Sequence, residues 1–184
     1  MRPHFPDHTV ESAPPESRRS MESTTRRLGY LPAPVARLAS SPQLLDGFLR
    51  VSGLFETATL DPIARETVIL TIATRNGCHV CVAMHTATLV RLGADPGLVD
   101  ALRAGRLLDD ERLDAVRVFT LEVLACAGAV EPAVMDAFLA QGFTPRNALE
   151  VVLGIGAYTM STIANRMTGA PLDEPLAPFA WGAA

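Results

Sequence analysis

The sequence predicts an all-α protein, and three observations carry that prediction. Apolar residues recur mostly at intervals of three and four, as in Leu113, Val116, Phe119, Leu121, Val123 and Leu124. A repeated punctuation brackets most such segments: a polar residue and proline open them, and glycine closes them. No run of β-branched residues alternates with polar ones for long enough to read as a strand.

Each element follows from that punctuation. Ser41-Pro42 opens a helix through Ala58, and Asp61-Pro62 opens one closed by Gly77. The next starts at Cys78 and closes at Gly93, and Asp95-Pro96 opens a short one closing at Gly105. Asp109 opens another that ends at Gly128. Glu131-Pro132 opens one closed by Gly142, and Thr144-Pro145 opens a long last helix closed by Gly169. That makes about seven helices. The last is small-sided, with Gly154, Gly156, Ala157, Ser161 and Ala164, which suits close helix packing and a subunit interface.

Residues 1–30 carry proline, serine, threonine and charge with little apolar content, and are expected to be disordered or loosely attached. Residues 31–184 are expected to form one helical domain, with Gly29 to Pro34 as an extended lead-in. The tail from Pro171 holds the only tryptophan, Trp181, which with Phe179 is expected to anchor it on this subunit or a neighbour.

Composition narrows the function classes. A chain of 184 residues, 48% hydrophobic, can bury one real core. Its formal charge of −4 and the lack of a large basic patch argue against nucleic acid. All 16 basic side chains are arginine. The N-terminus lacks the apolar stretch of a secretory signal. The longest apolar run, from Ala148 to Ala164, is interrupted by Glu150 and two glycines and reads as a buried helix, not a membrane span. Three cysteines, two of them three apart, do not make the framework of a small secreted disulfide protein. A reducing, cytoplasmic setting is expected.

The chemistry gathers between Glu66 and His85. Cys78 and Cys81 form a C-x-x-C pair at a helix start, where unpaired amides and the helix dipole favour a thiolate. His85 follows Cys81 by one turn on the same face and could accept a thiol proton. Glu66, on the preceding helix, could orient that imidazole; a carboxylate among Val68, Ile69, Leu70 and Ile72 is costly to bury without such a partner. The set has the logic of nucleophile, base and orienting acid.

Blander readings of the same residues exist. A lone C-x-x-C is also a metal-binding motif, but four ligands are needed and only His79 and His85 lie near. A thioredoxin-like motif needs a preceding strand. His79 is expected to face solvent or cap its helix, and Cys126 to be an inert core thiol.

Glu66, the twelve-residue step to Cys78, Cys78-His79-Val80-Cys81, His85 and the late Asn165-Arg166-Met167-Thr168-Gly169 together resemble the AhpD-like alkylhydroperoxidases of the carboxymuconolactone decarboxylase superfamily. The resemblance spans about Arg37 to Pro178 and implies an all-helical fold assembled as a trimer or hexamer. It implies that Cys81 attacks a hydroperoxide, that Cys78 resolves the sulfenic acid as a disulfide, and that His85 and Glu66 relay the protons. It implies no bound cofactor or metal; an external dithiol, in the best-known branch a lipoyl group on a partner protein, would regenerate the thiols. That branch carries a histidine where this chain has Val80. His79 lies one residue away and is turned by about 100° on the helix.

The expected function is therefore a thiol-dependent peroxidase acting on hydrogen peroxide or organic hydroperoxides. Two alternatives stay open: a lactone decarboxylase on the same fold, and a non-catalytic redox-switch protein.

Overall fold

The structure is a computed structural model that describes residues 4–182. Among the described residues there are nine α-helices and no strand. They are α1 Pro15–Leu28, α2 Ala33–Leu38, α3 Pro42–Glu56, α4 Pro62–Arg75 and α5 His79–Arg91, followed by α6 Pro96–Arg103, α7 Glu111–Ala125, α8 Pro132–Ala140 and α9 Pro145–Thr168. A 3₁₀ helix, Glu174–Phe179, follows α9. The fold is all-α, and the seven helices expected from the punctuation are α3 to α9.

The caps explain why that punctuation was readable. The side chains of Ser41, Asp61, Asp95 and Thr144 each accept a hydrogen bond from a backbone N–H three residues on, with proline in the first turn. The start of α7 differs by one residue: Asp110, not Asp109, is the cap, accepting from Leu113 N at 2.9 Å.

The core is built around α4, which packs against α5, α7 and α9. Val68, Leu70, Ile72 and Ala73 of α4 are wholly buried there. On the other side α9 receives α3, where the Phe55 ring lies against Gly154 so closely that a Cβ there would stand 2.7 Å from the ring. Only glycine lets the two helices approach that far.

The expectation for residues 1–30 is corrected in their described part. Met21 of α1 is fully buried in a second, smaller core with Val35, Leu38, Leu45 and Ala164. The Ser17 hydroxyl donates to Ala39 O at 2.8 Å, and buried Arg37 donates to Asp7 at 2.6 Å and to the Thr168 and Gly169 carbonyls. Low apolar content concealed this helix, because one methionine and a few polar ties attach it. The lead-in is corrected too, since Ala33–Leu38 is helical.

The tail is anchored on its own chain. Trp181 Nε1 donates to Arg103 O at 3.0 Å, and the Arg103 guanidinium donates to the carbonyls of Phe179 and Ala180. Among the described residues no helix is long and apolar enough to cross a membrane.

Candidate active site

The site begins at the turn from α4 to α5. Asn76 ends α4 and Gly77 takes a left-handed φ of +64°, which reverses the chain and sets Cys78 at the N-cap of α5. Cys81 follows one turn inside. α9 holds this turn: Arg166 donates to Asn76 O at 2.5 Å, and the Asn76 amide donates to Thr162 Oγ1 at 2.9 Å.

The two sulfurs are free thiols 3.0 Å apart, one hydrogen-bonded to the other. Both are buried, Cys78 at 1% and Cys81 at 5% exposure. His85 Nδ1 lies 2.7 Å from Glu66 Oε2. An ionised carboxylate only accepts, so Nδ1 carries the hydrogen and Nε2 is left to take or give a proton. The structure thus pairs Cys78 with Cys81 and His85 with Glu66, and the charge of His85 is felt at Cys78. His79 is exposed.

The electrostatics of the two sulfurs differ. Cys78 is lowered from 9.0 to about 7, chiefly by its hydrogen bond with Cys81, against burial and with help from the Cys81 and Val80 amides and the charge of His85. Cys81 is raised well above 9.0 by its hydrogen bond with Cys78 and by burial. A second negative sulfur 3.0 Å from the first would add to that cost. With one proton shared across 3.0 Å, the pair carries a single negative charge.

A third wall comes from α9. Tyr158, Ser161 and Asn165 are buried on one face of that helix at intervals of three and four. The Tyr158 ring meets the His85 ring edge-on at 5.2 Å. Burial, with the charge of Glu66, raises the Tyr158 hydroxyl above its ordinary range. Asn165 Nδ2 donates to Cys81 Sγ at 3.3 Å, and the Asn165 amide and the Ser161 hydroxyl both favour charge on that sulfur. Sequence reasoning did not assign these three; the available signal was polar side chains at helical spacing on an otherwise small-sided helix.

Two other expectations change. Cys126 is the partly exposed C-cap of α7, not a core thiol. Glu150, read only as an interruption of the apolar run, accepts from Thr59 N, Thr59 Oγ1, Leu60 N, Asn147 Nδ2 and Arg146 Nε. Among the described residues no three His, Cys, Asp or Glu side chains gather as a metal site would require. Two clefts, of about 440 and 210 Å³, lie away from the sulfurs.

Comparison with known proteins supplies the context. Residues 42–118, which include Glu66, both sulfurs and His85, match the carboxymuconolactone decarboxylase family. No curated protein matches the chain in sequence. An alkylhydroperoxidase AhpD core structure from Ralstonia eutropha, a peroxidase-related protein, superposes with a TM-score of 0.83 at 21% identity, covering 94% of this chain and 93% of its own. A peroxidase-related protein from a Silicibacter species gives 0.77 at 20%, covering 96% and 95%. The debrominase Bmp8, in a cysteine-to-alanine variant bound to 2,3,4-tribromopyrrole, gives 0.74 at 14%, covering 97% and 96%. At these identities the likeness is one of fold. The family match from α3 into α7 and that fold around it both support the AhpD/carboxymuconolactone decarboxylase superfamily.

Proposed function

We propose that this protein is a thiol-dependent peroxidase that reduces hydrogen peroxide or organic hydroperoxides by cycling Cys78 and Cys81 between dithiol and disulfide. The observation that carries the reading is the pair of sulfurs 3.0 Å apart, with Cys78 feeling the charge of an imidazole held by a carboxylate at 2.7 Å. A thiol near 7 is about half ionised at neutral pH, against about 3% for an ordinary cysteine near 8.5.

The cycle balances as follows. His85 takes the first proton of the pair, leaving one negative charge and one proton across the two sulfurs. When the remaining proton sits on Cys78, Cys81 is the thiolate, and it is the sulfur faced by Asn165 of α9. Its attack on the outer peroxide oxygen forms the S–O bond and breaks the O–O bond. The departing alkoxide or hydroxide takes the proton from His85 and leaves as alcohol or water. Cys78 then gives its proton to His85 and attacks the sulfenic sulfur. The S–S bond forms, the S–O bond breaks, and hydroxide takes that proton and leaves as water. Glu66 keeps the imidazole in the tautomer this exchange needs.

An external dithiol, such as a lipoyl group on a partner protein, would return the disulfide to thiols without a bound cofactor. A reducing compartment such as the cytoplasm suits such a cycle. The exposed apolar side chains Leu149, Val152 and Ile163 along α9 support assembly as a homo-oligomer, a trimer or hexamer.

The test is consumption of hydrogen peroxide with dihydrolipoamide by wild type and by Cys81→Ser. Turnover lost in the variant is expected; equal turnover in both would remove the assignment. Carbon dioxide released from a lactone by a variant lacking both sulfurs would favour decarboxylation instead. Oxidation that changes subunit number without turnover would favour a redox switch.

A further inference from the structure

Asn165 offers the site more than a hydrogen bond. The residue is only 6% exposed, its Nδ2 donates to Cys81 Sγ at 3.3 Å, and its Oδ1 is buried with no hydrogen-bond partner. An unpaired acceptor in the interior is costly, and such an atom beside a reactive group calls for an explanation.

The backbone around Asn165 is fixed. Its carbonyl accepts from Ala170 N and Thr168 Oγ1, closing the end of α9. Arg37 binds the Thr168 and Gly169 carbonyls, and the neighbouring Arg166 binds Asn76 O at the turn that launches the sulfurs. The amide is therefore held between two pinned segments, with one edge toward Cys81.

We propose that Asn165 is a catalytic residue of the peroxide step, and that its free Oδ1 holds the hydroxyl transferred to Cys81. The proposal rests on the peroxidase reading and deepens it. The donor edge of the amide steadies the Cys81 thiolate while the acceptor edge takes the O–H of the approaching hydroperoxide. After the O–O bond breaks and the S–O bond forms, the same oxygen accepts from the S–O–H group. The hydroxyl keeps its proton, so the sulfenic acid stays neutral and waits for Cys78. A sulfenate anion would be the better nucleophile toward a second peroxide, so this contact also opposes irreversible oxidation to sulfinic acid.

The experiment uses the full chain with Cys78→Ser, in which the sulfenic acid on Cys81 cannot close to a disulfide. One equivalent of hydrogen peroxide is added, the sulfenic acid is trapped with dimedone, and mass spectrometry gives the sulfenic and sulfinic fractions at Cys81. With Asn165→Ala, sulfenic acid should form about tenfold more slowly and the sulfinic fraction should rise at equal conversion. Asn165→Asp has nearly the same shape but sets a negative acceptor against the sulfur, and should slow formation by about a hundredfold. It carries the test if the alanine variant does not fold. A merely structural role would leave the sulfenic-to-sulfinic ratio unmoved. Unchanged rates and ratio in the variants, with sulfenic acid forming normally in the Asn165 parent, would overturn the role of Asn165 and leave the peroxidase reading standing. Absence of sulfenic acid in the parent would overturn both.

Discussion

Two carboxylates on the central helices are buried to nearly the same degree, and their surroundings set them apart. The Glu66 side chain is 12% exposed and the Glu150 side chain 10%. Glu150 is surrounded by donors from Thr59, Leu60, Asn147 and Arg146, and the first two tie the turn from α3 to α4 onto α9. Glu66 meets one partner, and that partner is an imidazole. A carboxylate saturated by fixed donors is a staple, whereas one that faces a single titratable group beside two thiols is placed to steer a proton. Burial alone does not distinguish them.

The same substitution at both positions separates staple from relay. Glu66→Gln should lower peroxide reduction about a hundredfold, since a neutral amide no longer fixes the imidazole tautomer, while the folded protein persists. Steady-state peroxide consumption together with a thermal melt checks both halves. Glu150→Gln should do the reverse: rates of folded protein unchanged, stability reduced by about 2 kcal/mol in a urea titration. The carboxamide would turn hydrogens toward the Thr59 and Leu60 amides. An activity loss at Glu150 with stability intact would erase the distinction.

pH sharpens it further. The donors around Glu150 hold it below its ordinary value of 4.5. Its contribution to stability is then fully present above 4.5 and is lost as pH falls through the lower folded value. The acid limb of the stability curve should therefore flatten in Glu150→Gln. At the relay the reporting group is Cys78, held at about 7. Its alkylation by iodoacetamide should level off above pH 7 and fall about tenfold per unit below it. The smallest effect is expected at Cys126, half-exposed at the end of α7, where Cys126→Ser should leave both turnover and stability within about 0.5 kcal/mol.

How far the sequence revealed the molecule follows from how local each signal is. Cys78, Cys81 and His85 lie on one helix, and Glu66 lies across a single glycine turn, so spacing alone brings them together. The α9 wall enters from 84 residues beyond Cys81, and helical period says that Tyr158, Ser161 and Asn165 share a face without saying what that face meets. Glu150 was hidden for the same reason, since its donors at Thr59 and Leu60 lie about 90 residues earlier. Helix α1 escaped because its attachment rests on Met21 and on polar ties to Ala39, not on an apolar stripe. The unequal electrostatics of the two sulfurs were also out of reach. They depend on the 3.0 Å approach of the sulfurs and on which of them caps the helix.

The most direct measurement is a count of free thiols after one equivalent of hydrogen peroxide, followed by peptide mapping under non-reducing conditions. The account requires two thiols to disappear together and a peptide joined through Cys78 and Cys81, with Cys126 still free. Thiols that survive the peroxide, or a disulfide that includes Cys126, would contradict it.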